Sequence, residues 1–268
     1  MGYETYAGVV AREVDTGEAD RYLTILTVER GKLECYAKGI RRQKSKNASQ
    51  AGLLSYAEFQ LYRSKDRYIL TSAKAIEAFY GIRADVAKCA YAAHFLEIAR
   101  DVIVEGQAFP QALQMLLNTL YALCYRDRSP EFLSRVFEIR MLALSGFAPF
   151  LDGCTVCGAP IPPGEAVFSI YGDGLVCGGA ECRNGAGKAA PVSRGAVRAM
   201  KHVAECDAGA VFNFEINAQI QSELANLVPE YLSHKFGREY LKHGEAGRYG
   251  AFEREMLNLC KGRAPHDI

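Results

Sequence analysis

The stretch 22-YLTILTVERGKLECYAKG-39 decides the fold of the amino-terminal part of the chain. It contains two short runs rich in Ile, Leu, Thr and Tyr, and Arg30-Gly31-Lys32 separates them. Runs of β-branched and aromatic residues that flank a glycine-containing turn are typical of β-strands. We therefore predict strands at Tyr22–Val28 and Lys32–Lys38.

Three similar runs lie on either side of this stretch, at Tyr3–Val14, Ala57–Tyr62 and Tyr68–Ala73. Turn-forming residues separate them, at 15–17 and at 64–66. Five short strands at this spacing favour a small closed barrel over an open sheet. Residues 1–80 are therefore predicted to form a five-stranded barrel of the OB type.

The hydrophobic period changes after Ala84, where apolar residues begin to recur every three or four positions. This period indicates helices with one buried face. Predicted helices before residue 150 end at Gly106, span 110–125 and span 129–145. Predicted helices near the carboxyl end span 193–204, 217–242 and 247–259.

Residues 150–192 interrupt the helical pattern and are rich in Gly, Pro and Cys. A segment with so few apolar residues cannot bury a core of its own and needs a cross-link. The predicted fold is thus α+β and multidomain, with a helical body that carries an inserted zinc-ribbon-like subdomain. Its predicted parts are the barrel (1–80), two helical portions (81–149 and 193–268) and the insertion (150–192).

Four cysteines of the insertion have metal-ligand spacing: Cys154, Cys157, Cys177 and Cys182. The first pair is C-x2-C, which lets one tight turn present two thiolates, and a glycine follows it. A hairpin turning at 172–174 would return the second pair, C-x4-C, to the first. No histidine lies between the pairs, so four thiolates predict a closed, structural Zn²⁺ site.

Two other interpretations of these cysteines stay open. A redox pair places its first cysteine at a helix amino terminus. Here the first pair follows a predicted helix and runs into 159-APIPP-163, which does not begin one. The cysteines could also be bystanders without a ligand.

A basic segment, 38-KGIRRQKSKNASQAG-52, follows the quoted strands in a chain of net charge +1. Its candidate phosphate-binding residues are Lys38, Arg41, Arg42, Lys44 and Lys46. No acidic residue occurs between Glu34 and Glu58. Cationic loops beside a small barrel suit a polynucleotide, because each neutralised phosphate releases a counterion. Nearby aromatic residues are candidates for stacking on bases or for the core: Tyr22, Tyr36, Tyr56, Phe59, Tyr62 and Tyr68. The alternative for the basic segment is a solvated loop.

Familiar catalytic motifs are missing from the sequence, and we predict that the protein is not an enzyme. It contains no G-x-x-x-x-G-K-[ST] loop, no G-x-S-x-G elbow and no H-E-x-x-H pair. There is no apolar run of about 18 residues and no signal-peptide pattern at the amino terminus. These features predict a cytoplasmic protein without a membrane partner.

Two segments together resemble the bacterial recombination mediator family RecO. They are 17-GEADRYLTILTVERGKLECYAKGIRRQKSK-46 and 137-FEIRMLALSGFAPFLDGCTVCG-158, a helix that leads into the cysteine pair. The predicted barrel, helical body and inserted ribbon follow the family pattern along almost the whole chain.

The resemblance implies a nucleoid-associated DNA repair and homologous recombination protein. Such proteins bind single- and double-stranded DNA, anneal complementary strands and, with RecR and often RecF, help load RecA onto DNA coated by single-strand binding protein (SSB). The resemblance also implies contact with the acidic carboxyl-terminal tail of SSB, for which Arg135, Phe137 and Arg140 are the candidate residues. The alternatives are a nucleic-acid-processing enzyme with the barrel as substrate clamp, and a protein-only adaptor.

Overall fold

The computed structural model describes residues 2–65, 67–162 and 164–240. Within this range the chain forms two compact units, residues 2–126 and 127–240. The predicted helix at 247–259 and the last two residues of the predicted helix at 217–242 lie outside the described residues. The four-part division predicted from the sequence stays a prediction.

The first unit begins with a closed five-stranded barrel in the order β1-β2-β3-β5-β4. Its strands are β1 (Gly2–Thr16), β2 (Asp20–Thr27), β3 (Gly31–Ala37), β4 (Tyr56–Ser64) and β5 (Arg67–Glu77). Neighbouring strands are antiparallel except β3 and β5, which pair in parallel through two positions and close the barrel. The predicted OB-type barrel is confirmed.

Inward-facing side chains of the strands fill the barrel. Leu23, Ile25, Phe59 and Leu61 are completely buried in this core. In β4 the buried residues alternate with more exposed ones, as expected for a strand with one face on the core and one toward solvent. Phe59 is therefore a core residue and is not available to stack on a base.

Among the described residues, three helices follow the barrel in the first unit: α1 (Tyr80–Arg83), α2 (Val86–Val102) and α3 (Pro110–Tyr125). The Asp85 carboxylate caps α2 by accepting hydrogen bonds from the amides of Ala87 and Lys88, at 2.8 and 3.1 Å. Pro110 occupies the first turn of α3, as predicted, because its missing N–H is not needed there.

The second unit combines three long helices with a small three-stranded sheet of order β7-β6-β8. Its elements are α4 (Pro130–Leu144), β6 (Val167–Ser169), β7 (Gly174–Val176), α5 (Ala180–Asn184), β8 (Ala189–Pro191), α6 (Arg194–Glu205) and α7 (Ala218–Phe236). The helix predicted to reach residue 242 ends at Phe236. Gly237 adopts a φ of +64°, a left-handed conformation that stops the helix at that point.

The small sheet packs on α7 through aromatic side chains. Phe168 of β6 is fully buried and meets Tyr231 of α7 edge-to-face, with ring centroids 5.3 Å apart. Ion pairs Lys188–Glu230 and Lys235–Asp173 flank this contact. The ribbon is therefore anchored to the helical body as well as being inserted into it. None of the helices described could span a lipid bilayer, because none is both long and apolar enough.

Candidate nucleic-acid interface and metal centre

The basic segment is the first part of the long connection from β3 to β4, residues 38–55. All five of its predicted phosphate-binding side chains are exposed: Lys38, Arg41, Arg42, Lys44 and Lys46. Between them Ile40 points the other way and is only 3% exposed, within the barrel core. One buried apolar residue thus fixes the segment to the barrel and directs its cations to solvent.

The later part of the same connection is hydrogen-bonded to the barrel. The Glu13 carboxylate, 5% exposed, accepts a hydrogen bond from the Leu53 amide at 2.7 Å. Asn47 donates to the Thr71 carbonyl at 3.3 Å, and Gln50 accepts from the Ala75 amide at 2.9 Å. The bonds made by Asn47 and Gln50 satisfy backbone groups of β5 that the short pairing with β3 leaves unused.

The start of the connection is held by Ala19 and Asp20, where the chain enters β2. The Asp20 carboxylate accepts hydrogen bonds from the Gly39 amide at 2.6 Å and from the Tyr36 hydroxyl. The Arg41 amide donates to the Ala19 carbonyl at 2.9 Å. Gly39 has a φ of +64°, so the chain turns sharply at the point where the basic residues begin.

Acidic side chains near the basic segment neutralise only part of its charge. The guanidinium of Arg41 lies 3.3 Å from the Asp15 carboxylate, whose other oxygen is 2.6 Å from Arg21. Arg21 also pairs with Glu13 at 2.7 Å. The Arg41 side chain is still 36% exposed, and an exposed ion pair of this kind is weak. The segment therefore presents a positive surface to solvent.

An aromatic platform lies beside the basic segment on the outer face of the barrel. Tyr22 of β2 and Tyr36 of β3 are opposite each other, with ring centroids 5.4 Å apart. The guanidinium of Arg67, in β5, lies over the Tyr36 ring at 5.7 Å. Lys38 follows β3 directly, two residues after Tyr36, so the basic segment begins next to the platform.

Strand register decides which of the candidate aromatic residues face outward and which face the barrel core. Tyr22 and Tyr36 face outward near the cations, whereas Tyr68 is half-buried against the barrel core. Tyr62 contacts Tyr3 in β1 with tilted rings, whose centroids are 5.4 Å apart. The sequence analysis missed Arg67; only the pairing of β5 with β3 identifies it.

The four predicted ligand cysteines converge in the ribbon. Their sulfurs all lie within 4.8 Å of one another, and the Sγ atoms of Cys157 and Cys177 are 3.9 Å apart. A tetrahedral zinc site with Zn–S bonds of about 2.3 Å requires sulfur–sulfur distances of about 3.8 Å. The four side chains therefore fit a metal ion.

Local backbone structure explains how both cysteine pairs reach this point. Gly158 has the predicted positive φ, +72°, and its amide donates to the Cys154 carbonyl at 2.9 Å. The hairpin between β6 and β7 turns where predicted, and Asp173 adopts a φ of +61° there. The four-residue gap of the second pair is accommodated by α5, whose single turn brings Cys182 back toward Cys177.

The thiols are electrostatically unequal. Burial acts to raise the pKa of Cys154, but the N–H groups of Cys157, Cys177 and Val156 directed at its sulfur lower that pKa to about 6. The pKa of Cys182 rises to about 12, first because its thiol is hydrogen-bonded with Cys177. A cation among the sulfurs would favour the thiolate form of all four.

The residues predicted to dock an acidic peptide do not form a surface, which corrects the sequence-based expectation. Phe137 is completely buried, and Arg135 is 5% exposed and pairs with Glu138 at 2.8 Å. Arg140 donates to the carbonyls of Val203 and Ala204, at 3.1 and 2.6 Å. It thereby caps the carboxyl end of α6, so all three side chains have roles inside the second unit.

Comparison with known proteins covers nearly all of this architecture. The family model for the recombination protein O N terminal matches residues 1–79, which contain the barrel. The model for the recombination protein O C terminal matches residues 83–245, which contain the helices and the ribbon.

The sequence is also similar to those of curated relatives over most of their length. The chain is 38% identical to DNA repair protein RecO of Acetivibrio thermocellus over 242 residues, 90% of this chain and 95% of the relative. It is 32% identical to the proteins of that name from Anaeromyxobacter dehalogenans and Moorella thermoacetica, over 86% of this chain and 91% and 85% of those relatives. Two family models and this level of identity show that the chain belongs to the RecO family of recombination proteins.

Proposed function

We propose that this protein acts in DNA repair and homologous recombination as a non-catalytic mediator. The observation that carries the proposal is the exposed basic segment 38–46, held on an OB-type barrel in a chain of the RecO family. In this role it binds single- and double-stranded DNA, anneals complementary strands and, with RecR, helps load RecA onto SSB-coated single strands.

The proposed mechanism is electrostatic. Lys38, Arg41, Arg42, Lys44 and Lys46 bind phosphates and release counterions. Screening the repulsion between two phosphate backbones lets complementary strands approach and pair. No covalent bond is made or broken by the protein, so its residues bind and orient the strands.

The aromatic platform gives this surface a means to hold single strands. The faces of Tyr22 and Tyr36 are suited to stacking with unpaired bases, and Arg67 adds a cation beside them. Stacking is tolerant of sequence because every base has a π-face. A strand that crosses the platform would continue onto the basic segment at Lys38.

The proposed protein partners are RecR, the acidic carboxyl-terminal tail of SSB, RecF and RecA. Arg135, Phe137 and Arg140 are not included in the tail-binding site, because their side chains are engaged within the second unit. The proposed location is the cytoplasm, at the nucleoid.

We assign the cysteine cluster to a structural Zn²⁺ ion. Cys154, Cys157, Cys177 and Cys182 would hold it, and four thiolates leave no open position for a substrate. When bound, the ion supplies a cross-link between the two halves of the ribbon. The buried cluster around the sulfurs is small: in the described residues Val176 and Ala186 join Cys154 and Cys182 in it.

Strand annealing in the presence of SSB tests the proposal. Complementary oligonucleotides are coated with intact SSB or with SSB that lacks its tail, and the protein is added. We expect annealing with intact SSB and a much slower reaction without the tail. Cleavage of labelled DNA that requires added metal would instead support the enzyme alternative, and the absence of any DNA binding would support the adaptor.

A further inference from the structure

Asp20 has an unexpected position, because it is an acidic residue at the base of a phosphate-binding segment. It begins β2 and is half-buried. One carboxylate oxygen accepts from the Gly39 amide at 2.6 Å, and the other accepts from the Tyr36 hydroxyl. The same carboxylate thus contacts the first turn of the basic segment and a member of the aromatic platform.

These two hydrogen bonds keep Asp20 ionised. The pKa of Asp20 lies below its ordinary value, first because of the Tyr36 hydroxyl and then because of the Gly39 amide. Arg42 and Lys38 lower it further through their positive charges. The negative charge of Asp20 opposes phosphate binding by repulsion, so on electrostatic grounds alone this residue would weaken DNA affinity.

Asp15 provides the contrast, since it is also an acidic residue beside the same segment. Its side chain is 51% exposed and contacts only arginine side chains, Arg21 and Arg41, among the contacts described here. It makes no contact with the backbone of the segment in the described structure. Asp15 therefore lowers the charge of the surface without fixing its shape.

We propose that Asp20 is a positioning residue that holds the basic segment and Tyr36 in one DNA-binding arrangement. This inference rests on the proposed function for the surface itself. Gly39 turns the chain with a positive φ, and Ile40 enters the core. Asp20 accepts a hydrogen bond from the Gly39 amide, which lies just after the end of β3. Preorganisation of this kind removes an ordering cost that each binding event would otherwise meet.

The neutral substitutions Asp20→Asn and Asp15→Asn separate the two roles, because each removes one negative charge from the same surface. Affinity is measured by fluorescence anisotropy with a labelled single-stranded oligonucleotide at fixed salt. We expect Asp15→Asn to bind more tightly and Asp20→Asn to bind about tenfold more weakly. Asn keeps one acceptor oxygen but lacks the carboxylate charge and the second acceptor, so the competent conformation is less populated. Equal tightening of binding by both variants, or no change in Asp20→Asn, would overturn the inference.

Limited trypsin digestion gives a second readout that does not depend on DNA. Trypsin cleaves after Arg41 and Arg42 only if the segment can leave the barrel. We expect faster cleavage there in Asp20→Asn than in Asp15→Asn, while both variants keep a single cooperative urea unfolding transition. If Arg41→Glu with Arg42→Glu binds DNA normally, the proposed function fails. If that variant loses binding but Asp20→Asn is cleaved like the parent protein, only the positioning role fails.

Discussion

Reversing two charges of the basic segment should reduce both DNA affinity and its salt dependence. Arg41 and Arg42 are exposed, and Arg41 makes only a surface ion pair, with Asp15 at 3.3 Å. Arg41→Glu with Arg42→Glu should therefore leave the unfolding free energy within about 1 kcal/mol of the parent protein.

The magnitude follows from the number of phosphate contacts. Five contacts with a single strand give a slope of log K against log salt of about −3.5, and three give about −2.1. Over a fourfold increase in salt, the parent protein should lose affinity about 130-fold and the variant only about 18-fold. Fluorescence anisotropy titrations at several salt concentrations measure both slopes.

A matched control is available in the second unit. Arg194 and Arg198 are exposed on α6, and Arg194→Glu with Arg198→Glu makes the same change in net charge. The control should keep a slope near that of the parent protein. If the two double variants show the same DNA affinity and the same salt slope, net charge rather than the basic segment determines affinity, and the proposed binding surface is wrong.

Two further predictions concern the second unit. Arg135→Leu should destabilise it by about 3–5 kcal/mol in urea unfolding, because fully buried Glu138 loses its ion pair with the Arg135 guanidinium. Arg135→Leu with Glu138→Leu should recover much of this loss. A stable single variant would argue against a buried pair. Cys154→Ser should lower the zinc content measured by metal analysis. It should also expose residues 150–192 to protease while the barrel stays folded. Unchanged zinc content would contradict the metal assignment.

The barrel could be predicted from the sequence because the residues that specify each strand and turn are close together in the chain. Each strand carries its own β-branched and aromatic residues, and turn residues mark its ends, as in the stretch that leads to Gly31. The convergence of the cysteines could also be predicted, because the C-x2-C spacing and Gly158 together are typical of a turn that can hold a metal. The exposed basic segment followed from its lack of acidic residues.

The orientation of individual side chains could not be predicted, since it depends on long-range packing. Phe59 and Tyr36 are both strand aromatics, and only the barrel register places one inside and the other outside. Arg135 and Phe137 follow a charged and apolar pattern that suits a surface, yet α6 and α7 pack against α4. Asp20 has no sequence signal at all, because its partners Tyr36 and Gly39 are 16 and 19 residues away.

A lysine acetylation footprint with and without single-stranded DNA tests most directly whether the basic segment binds DNA. Mass spectrometry reports the labelling of each lysine. We expect DNA to protect Lys38, Lys44 and Lys46, while Lys201 and Lys235 in the second unit react equally in both states. Equal labelling of the three segment lysines with and without bound DNA would contradict this expectation.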